Sequence, residues 1–278
     1  MLSVFCLFSL QKGLTMNASD FAAAVRSGQP VFGMVVVSTA AQWPMFVRRV
    51  NPDFILLENE HIAYDRETMA SLCLTYSALG IAPMVRVPSA DPLLVQMMFD
   101  GGAAGVVAPY IETVEQLKAL AGATKFGPVK GVKLQHILDG GEIEPDLAAY
   151  LKARNGTRLL GTMIETQTAL DALEDLLATG YLDFVLVGPN DLSCSLGIPD
   201  QLTHPRFQAA VQQIVSTARA YNVGVGMMTR DVDEEIRLIQ SGATVILHSS
   251  DASAFVVGMS ADLDVLRRAA AENQPAHS

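Results

Sequence analysis

Eight short apolar, β-rich runs punctuate this chain, and longer stretches with helical periodicity separate them. The runs lie at 31–37, 54–58, 82–87, 104–108, 159–165, 183–187, 223–228 and 244–248. Most are apolar throughout, as strands buried on both faces are. Strands alternating with helices predict a parallel α/β sheet. Eight such units in 278 residues predict its closure into a (β/α)8 TIM barrel. Helices are predicted over 66–79, 91–101, 112–121, 168–179, 205–220 and 231–241. Asp65, Asp91 before Pro92, and Asp231 stand where N-caps belong, and Gly80, Gly180 and Gly242 where helices end. A doubly wound sheet is the alternative, but no Gly-x-Gly-x-x-Gly turn follows the first strand. Gly101-Gly102-Ala103-Ala104-Gly105 precedes a strand and reads as a tight turn. The segment 122–158, rich in Gly and charge, is expected to be irregular.

Half of the residues are hydrophobic, enough for one large core. The barrel domain is expected over 16–270. Residues 1–15 read as a disordered N-terminal extension and 271–278 as a polar tail, with fraying from Ala269. Ser19 or Asp20 is a candidate cap for the first helix. The apolar start lacks a basic n-region and is too short to span a bilayer, so neither a signal peptide nor a membrane partner is expected. Three cysteines without metal-ligand spacing suit a reducing, cytoplasmic setting. The net charge of −10 argues against a nucleic-acid partner but leaves small anionic substrates open.

Parallel barrels place their chemistry at the carboxyl ends of strands. Four runs stop there on charged residues: Glu58-Asn59-Glu60-His61, Arg86, Glu165, and Gly188-Pro189-Asn190-Asp191. Glu165 and Asp191, on consecutive strands, can share one hard divalent ion while leaving positions for water and substrate. Each can equally cap a loop or pair with a cation. His61, beside two acids, is a candidate base. Arg86 either pairs with Glu58 or Glu60 or stabilises a developing oxyanion. The amides at Gly188–Asp191 open a helix and are a candidate carboxylate site. His248, at the end of the last strand, is a further candidate for the same mouth. His136 and His204 read mainly as surface residues.

Together these motifs resemble the metal-dependent pyruvate aldolases of the HpcH/HpaI aldolase–citrate lyase family. Glu60-His61, Val85-Arg86, Ile164-Glu165-Thr166 and Gly188-Pro189-Asn190-Asp191-Leu192-Ser193 occur in the family's order, and the match runs from about residue 20 to 262. The resemblance implies a TIM barrel of the phosphoenolpyruvate/pyruvate-domain type. It implies aldol cleavage or formation of a 4-hydroxy-2-oxo acid, from pyruvate or oxaloacetate and an aldehyde, through a metal-bound enolate. His61 would take the proton, Arg86 would hold the oxyanion, and Glu165 and Asp191 would ligate Mg²⁺, Mn²⁺ or Co²⁺. Gly188, Pro189, Asn190, Asp191 and Met163 would bind substrate, the backbone amide at Asn190 meeting its carboxylate. Asp100 matches an aspartate that raises the histidine's basicity, often from a neighbouring subunit. A homo-oligomer, a hexamer by resemblance, is implied. Three positions depart from the family pattern: Glu58-Asn59 replaces Asp-Gly, Met163 replaces a glutamine, and Lys130 replaces an arginine. An acyl-CoA-dependent citrate- or malate-forming reaction, and a catalytically inactive barrel, are the alternatives.

Overall fold

A computed structural model describes residues 16–272. The expectations for residues 1–15 and 273–278 lie outside the described residues. In chain order the elements are α1 (Ala18–Ser27), β1 (Val31–Val36), α2 (Trp43–Val50), β2 (Phe54–Glu58), α3 (Arg66–Ala78), β3 (Ala82–Arg86) and α4 (Pro92–Asp100). There follow β4 (Gly105–Ala108), α5 (Val114–Lys125), α6 (Gly131–Leu138), α7 (Pro145–Asn155), β5 (Leu159–Ile164), α8 (Gln167–Asp171) and α9 (Leu173–Ala178). The chain ends with β6 (Phe184–Val187), α10 (Pro189–Ser195), α11 (Pro205–Ala220), β7 (Gly224–Thr229), α12 (Val232–Ser241), β8 (Val245–Ser250) and α13 (Asp251–Glu272). The strands pair in parallel and in sequence order, and β8 returns to β1 to close the barrel.

Strand alternation divides the core into two layers. Phe54 and Leu56, Ala82 and Met84, Phe184 and Leu186, and Val245 and Leu247 pack with one another inside the barrel. Their neighbours Ile55, Leu57, Val85, Val185 and Ile246 face the helices. The ring of Phe184 lies against Gly161, where an added Cβ would come within 2.3 Å of it. Below, α1 covers the N-terminal end, and its Phe21 ring stands 5.1 Å from that of Phe54. Arg26 of α1 holds Asp183, just before β6, at 2.7 Å.

Local chemistry sets most boundaries as expected. The side chains of Asp65, Asp91 and Asp231 cap α3, α4 and α12, and Gly80, Gly180 and Gly242 are left-handed beyond α3, α9 and α12. Some expectations are overturned. Asn17, not Ser19 or Asp20, caps α1 by accepting from both of their amides. The stretch 168–179 is two helices, broken at Ala172. The segment 122–158 is mostly helical, holding the end of α5 and all of α6 and α7. In α7 only Leu151 and Asn155 are buried, so a surface helix leaves little apolar periodicity to read. Residues 269–272, expected to be frayed from Ala269 and tail from 271, continue α13. Among the described residues no helix is long and apolar enough to cross a membrane.

Candidate active site

The inward-facing parity that fills the barrel with Phe54 and Leu56 next delivers Glu58; Ala82 and Met84 are followed by Arg86. Glu58 and Arg86 are direct register partners across β2 and β3. Both are buried, and Arg86 Nε donates to Glu58 Oε2 at 2.8 Å while its Nη2 closes a second bond to the same oxygen. The other Glu58 oxygen accepts from the amides of Glu60 (2.8 Å) and His61 (3.2 Å). Glu58 therefore does two things: it neutralises a buried guanidinium and shapes the turn that presents His61. Asn59 Oδ1 supports that turn by accepting from the Tyr64 amide at 3.2 Å.

Glu60 Oε2 lies 3.2 Å from Arg86 Nε and 3.8 Å from His61 Nε2, yet it is buried and accepts no hydrogen bond. The His61 ring is largely exposed to the mouth. On the opposite wall β5 delivers Met163 and then Glu165, which is 3 % exposed. The amide of Tyr110 donates to Glu165 Oε1 at 2.8 Å. Burial raises the Glu165 carboxyl above its ordinary value, and the negative charges of Glu60 and Asp191 push it further. Room for this carboxylate depends on Gly188: a Cβ there would stand 2.8 Å from Glu165 Cβ and 3.1 Å from its Oε2.

Pro189 opens α10 and has no N–H, and the Gly188 amide is committed to Ile164 O at 3.2 Å. The first-turn amides without an intrahelical acceptor are then those of Asn190 and Asp191. A cavity of about 180 Å³ is lined by His61, Arg86, Met163, Gly188, Pro189, Asn190 and Asp191. The structure thus brings His61, Arg86, Met163 and Gly188–Asp191 to one cavity, with Glu165 against its wall beside Gly188, and leaves Asp100 and His248 outside it.

Asp100 ends α4, which runs back down the barrel after β3, so it lies at the N-terminal face, away from His61. Its neighbours there are Gln96 at 2.8 Å and Arg158, just before β5, at 4.0 Å. His248 is also apart: strand parity turns it outward, where Nδ1 sits 3.0 Å from Glu235 of α12. His204 caps α11, and His136 is exposed near Gly141. Two residues were not foreseen. Tyr110, beyond β4, has φ +59°, and Ser249, on β8, has φ +53°. Hydrogen bonding to Glu60 raises the Tyr110 phenol, with the charge of Glu60, burial, and the charges of Glu165 and Asp191 adding to it. Applying the strand-end rule to β4 and the parity rule to β8 would have found both.

Glu165 and Asp191 offer only oxygen donors, and they lie near enough for the charge of Asp191 to raise the Glu165 carboxyl. Among the described residues no group of three His, Cys, Asp or Glu side chains could hold a metal ion. A two-carboxylate site fits a hard cation that keeps much of its water, as Mg²⁺ and Mn²⁺ do. The crowding of Glu60, Glu165 and Asp191, with Glu60 Oε2 unsatisfied, is the local charge such a cation would relieve.

Fold and site define a (β/α)8-barrel protein with an acid-rich mouth built around one buried arginine. The family model for HpcH/HpaI aldolase/citrate lyase matches residues 32–257, and the chain belongs to that family of aldolases and lyases. It is similar to a 5-keto-4-deoxy-D-glucarate aldolase from Klebsiella pneumoniae, 29% identical over 205 residues, covering 73% of this chain and 79% of that one. Among solved structures it is similar to an HpcH/HpaI aldolase from Desulfitobacterium hafniense, with TM-score 0.77, 23% identity and coverage of 92% and 98%. The citrate synthase SbnG gives TM-score 0.79, 23% identity and coverage of 91% and 99%.

Proposed function

We propose that the protein is a divalent-metal-dependent aldolase that forms or cleaves a 4-hydroxy-2-oxo acid, with pyruvate or oxaloacetate as the 2-oxo acid and an aldehyde as its partner. The observation that carries this reading is the convergence of His61, Arg86 and Asp191 on one cavity, with the buried Glu165 against its Gly188 wall and within reach of the charges of Asp191 and Arg86. Glu165 and Asp191 would hold Mg²⁺, Mn²⁺ or Co²⁺, and the bound ion would supply Lewis-acid polarisation of the 2-oxo carbonyl. His61 removes a proton from the methyl carbon of pyruvate, directly or through water. The electron pair left behind delocalises onto the carbonyl oxygen, where the Arg86 guanidinium balances the negative charge. The first-turn amides at Asn190 and Asp191 receive the carboxylate. Met163 closes the cavity floor and keeps it apolar.

Bond formation then uses the same electron pair. It attacks the aldehyde carbon, the C–C bond forms, and the former aldehyde oxygen takes a proton. Cleavage runs the steps in reverse. Among the described residues no lysine lines the cavity, so a Schiff-base route lacks its nucleophile there. The same reading makes the protein a homo-oligomer, because Asp100 can serve His61 only from another subunit.

The test is exchange of the pyruvate methyl protons in D₂O, followed by proton NMR with and without Mg²⁺ or Mn²⁺. Metal-dependent exchange that disappears in Glu165→Ala is the expected result. Metal binding without exchange would overturn the pyruvate reading in favour of an acyl-CoA nucleophile.

A further inference from the structure

The end of the barrel remote from the catalytic mouth holds a cavity of about 400 Å³, within the size range of small-molecule sites. It lies at the starts of β1, β7 and β8, between the end of α1 and the ends of α11 and α12. Pro30, Val223 and Ile239 give it an apolar wall, Arg26 and Arg219 stand in the polar one, and no acidic residue lines it.

The two arginines differ in the donors they have left. Arg26 is fully committed: Nε binds Asp183 at 2.7 Å, and the other two nitrogens donate to the carbonyls of Gly156 and Arg158. Arg219 is exposed and has no carboxylate partner among the described residues; its one hydrogen bond runs from Nη1 to Ser241 O, at the end of α12, at 3.1 Å. A Cβ on Gly242 would stand 2.4 Å from Arg219 Cδ, 2.6 Å from Nε and 2.7 Å from Nη1, so that side of the guanidinium lies against the Gly242 backbone. Gly242 has φ +108°, so the turn and the arginine both require a glycine there. What remains of Arg219 is the opposite edge, Nε–H with Nη2–H, the fork that receives both oxygens of a carboxylate. Two further donors stand just before β7 and β8. The Asn222 side chain makes no hydrogen bond among the described residues, and the Thr244 hydroxyl accepts from the Val225 amide at 3.4 Å but donates to no group there.

We propose that this cavity is a second binding site, for a small monocarboxylate with an apolar tail. The carboxylate oxygens meet the free edge of Arg219, Asn222 and Thr244 donate beside it, and the tail packs on Pro30, Val223 and Ile239. Charge sets the class. Arg219 offers one uncompensated positive charge on a chain of net charge −10, which balances a carboxylate but leaves a phosphate dianion in excess. The site stands apart from the mouth and does not depend on the aldolase reading.

The test is saturation-transfer difference NMR on the intact, metal-free protein, with 4-methylpentanoate as the probe and 4-methylpentanamide as its neutral counterpart. Transfer to the methyl groups of the carboxylate, and none to the amide, is the expected result. Arg219→Gln should weaken carboxylate binding by about 10- to 100-fold, the worth of a hydrogen-bonded charge. Because the mouth is at the other end of the barrel, that loss assigns the transfer to this cavity. Arg219→Lys should recover little, since an ammonium lacks the fork. Asn222→Gly keeps the left-handed backbone at φ +57° and should weaken binding by about 2- to 10-fold, so it decides the matter if Arg219→Gln fails to fold. Inorganic phosphate at equal concentration should leave the transfer unchanged. No transfer in wild type, equal transfer to acid and amide, undiminished binding in the variants, or displacement by phosphate overturns the proposal.

Discussion

Gly188 carries a constraint that its side-chain-free backbone makes easy to miss. It faces inward one step beyond Val187, which is level with Ile164, so it abuts the residue after Ile164, which is Glu165. Adding one methyl puts a Cβ 2.8 Å from Glu165 Cβ, a distance real atoms do not adopt. Gly188→Ala should therefore displace the carboxylate, costing about 1–3 kcal/mol of stability through overpacking. Weakened metal binding and loss of exchange, with the fold retained by circular dichroism, is the expected outcome; full exchange would show that Glu165 does not need its present position. Cysteine chemistry gives a second residue-scale expectation. Burial pushes the Cys73 thiol up to about 12 from an ordinary value of 9.0, whereas Cys194 is exposed. An acid whose folded value is raised lends stability that is complete below its unfolded value and is lost as pH climbs through the folded one. Stability should thus decline between about pH 9 and 12, less steeply in Cys73→Ala. In a variant lacking Cys6, a thiol reagent at pH 8 should label Cys194 alone until the protein unfolds.

At the scale of elements, α1 has a structural task separable from the chemistry. Phe21 is fully buried and meets Phe54 at the N-terminal end, while the site lies at the other. Phe21→Ala should cost about 3–5 kcal/mol, as large-to-small core changes do. Denaturant melts should read that loss, and the exchange rate per folded molecule should stay at the wild-type value; a matching drop in rate would tie the two ends of the barrel together. This separation also explains what was legible in the sequence. Strands were readable because each is an unbroken apolar run between turn residues, and their ends gave Glu58, Arg86, Glu165 and Asp191 directly. Period-2 parity would also have removed His248, since Leu247 faces in. Helices α6 and α7 were not readable, because they bury too few side chains to leave a pattern. Tyr110 was missed since a short strand ending at Ala108, with Pro109 next, offers no charge to notice.

At the scale of the whole molecule, two features remain unspent by a single barrel. In α13 only Asp251 is buried, and Phe255, Val256, Val257, Leu263 and Leu266 are exposed along a 22-residue helix. Leu74 of α3 and Leu93 of α4 are also exposed, the latter on the helix that ends in Asp100. Apolar area gathered along one helix would be covered if the chain associated with a second copy. Association would also resolve the position of Asp100, which its own barrel holds at the face opposite His61. If the aspartate of one subunit serves the histidine of the next, two inactive variants should repair each other. His61→Ala is expected to lose about 10²–10⁴-fold in exchange, the range of a general base, and Asp100→Asn to lose most of its exchange and shift the pH profile of what is left. Unfolded together in equal amounts and refolded, they form some sites in which an intact His61 meets an intact Asp100. Random assembly restores about one quarter of the sites in a closed symmetric ring. Exchange near that fraction of wild type, against almost none in either variant refolded alone, is the expected result. Activity no greater than the mean of the two separate variants would confine Asp100 to its contacts with Gln96 and Arg158 and remove it from the site.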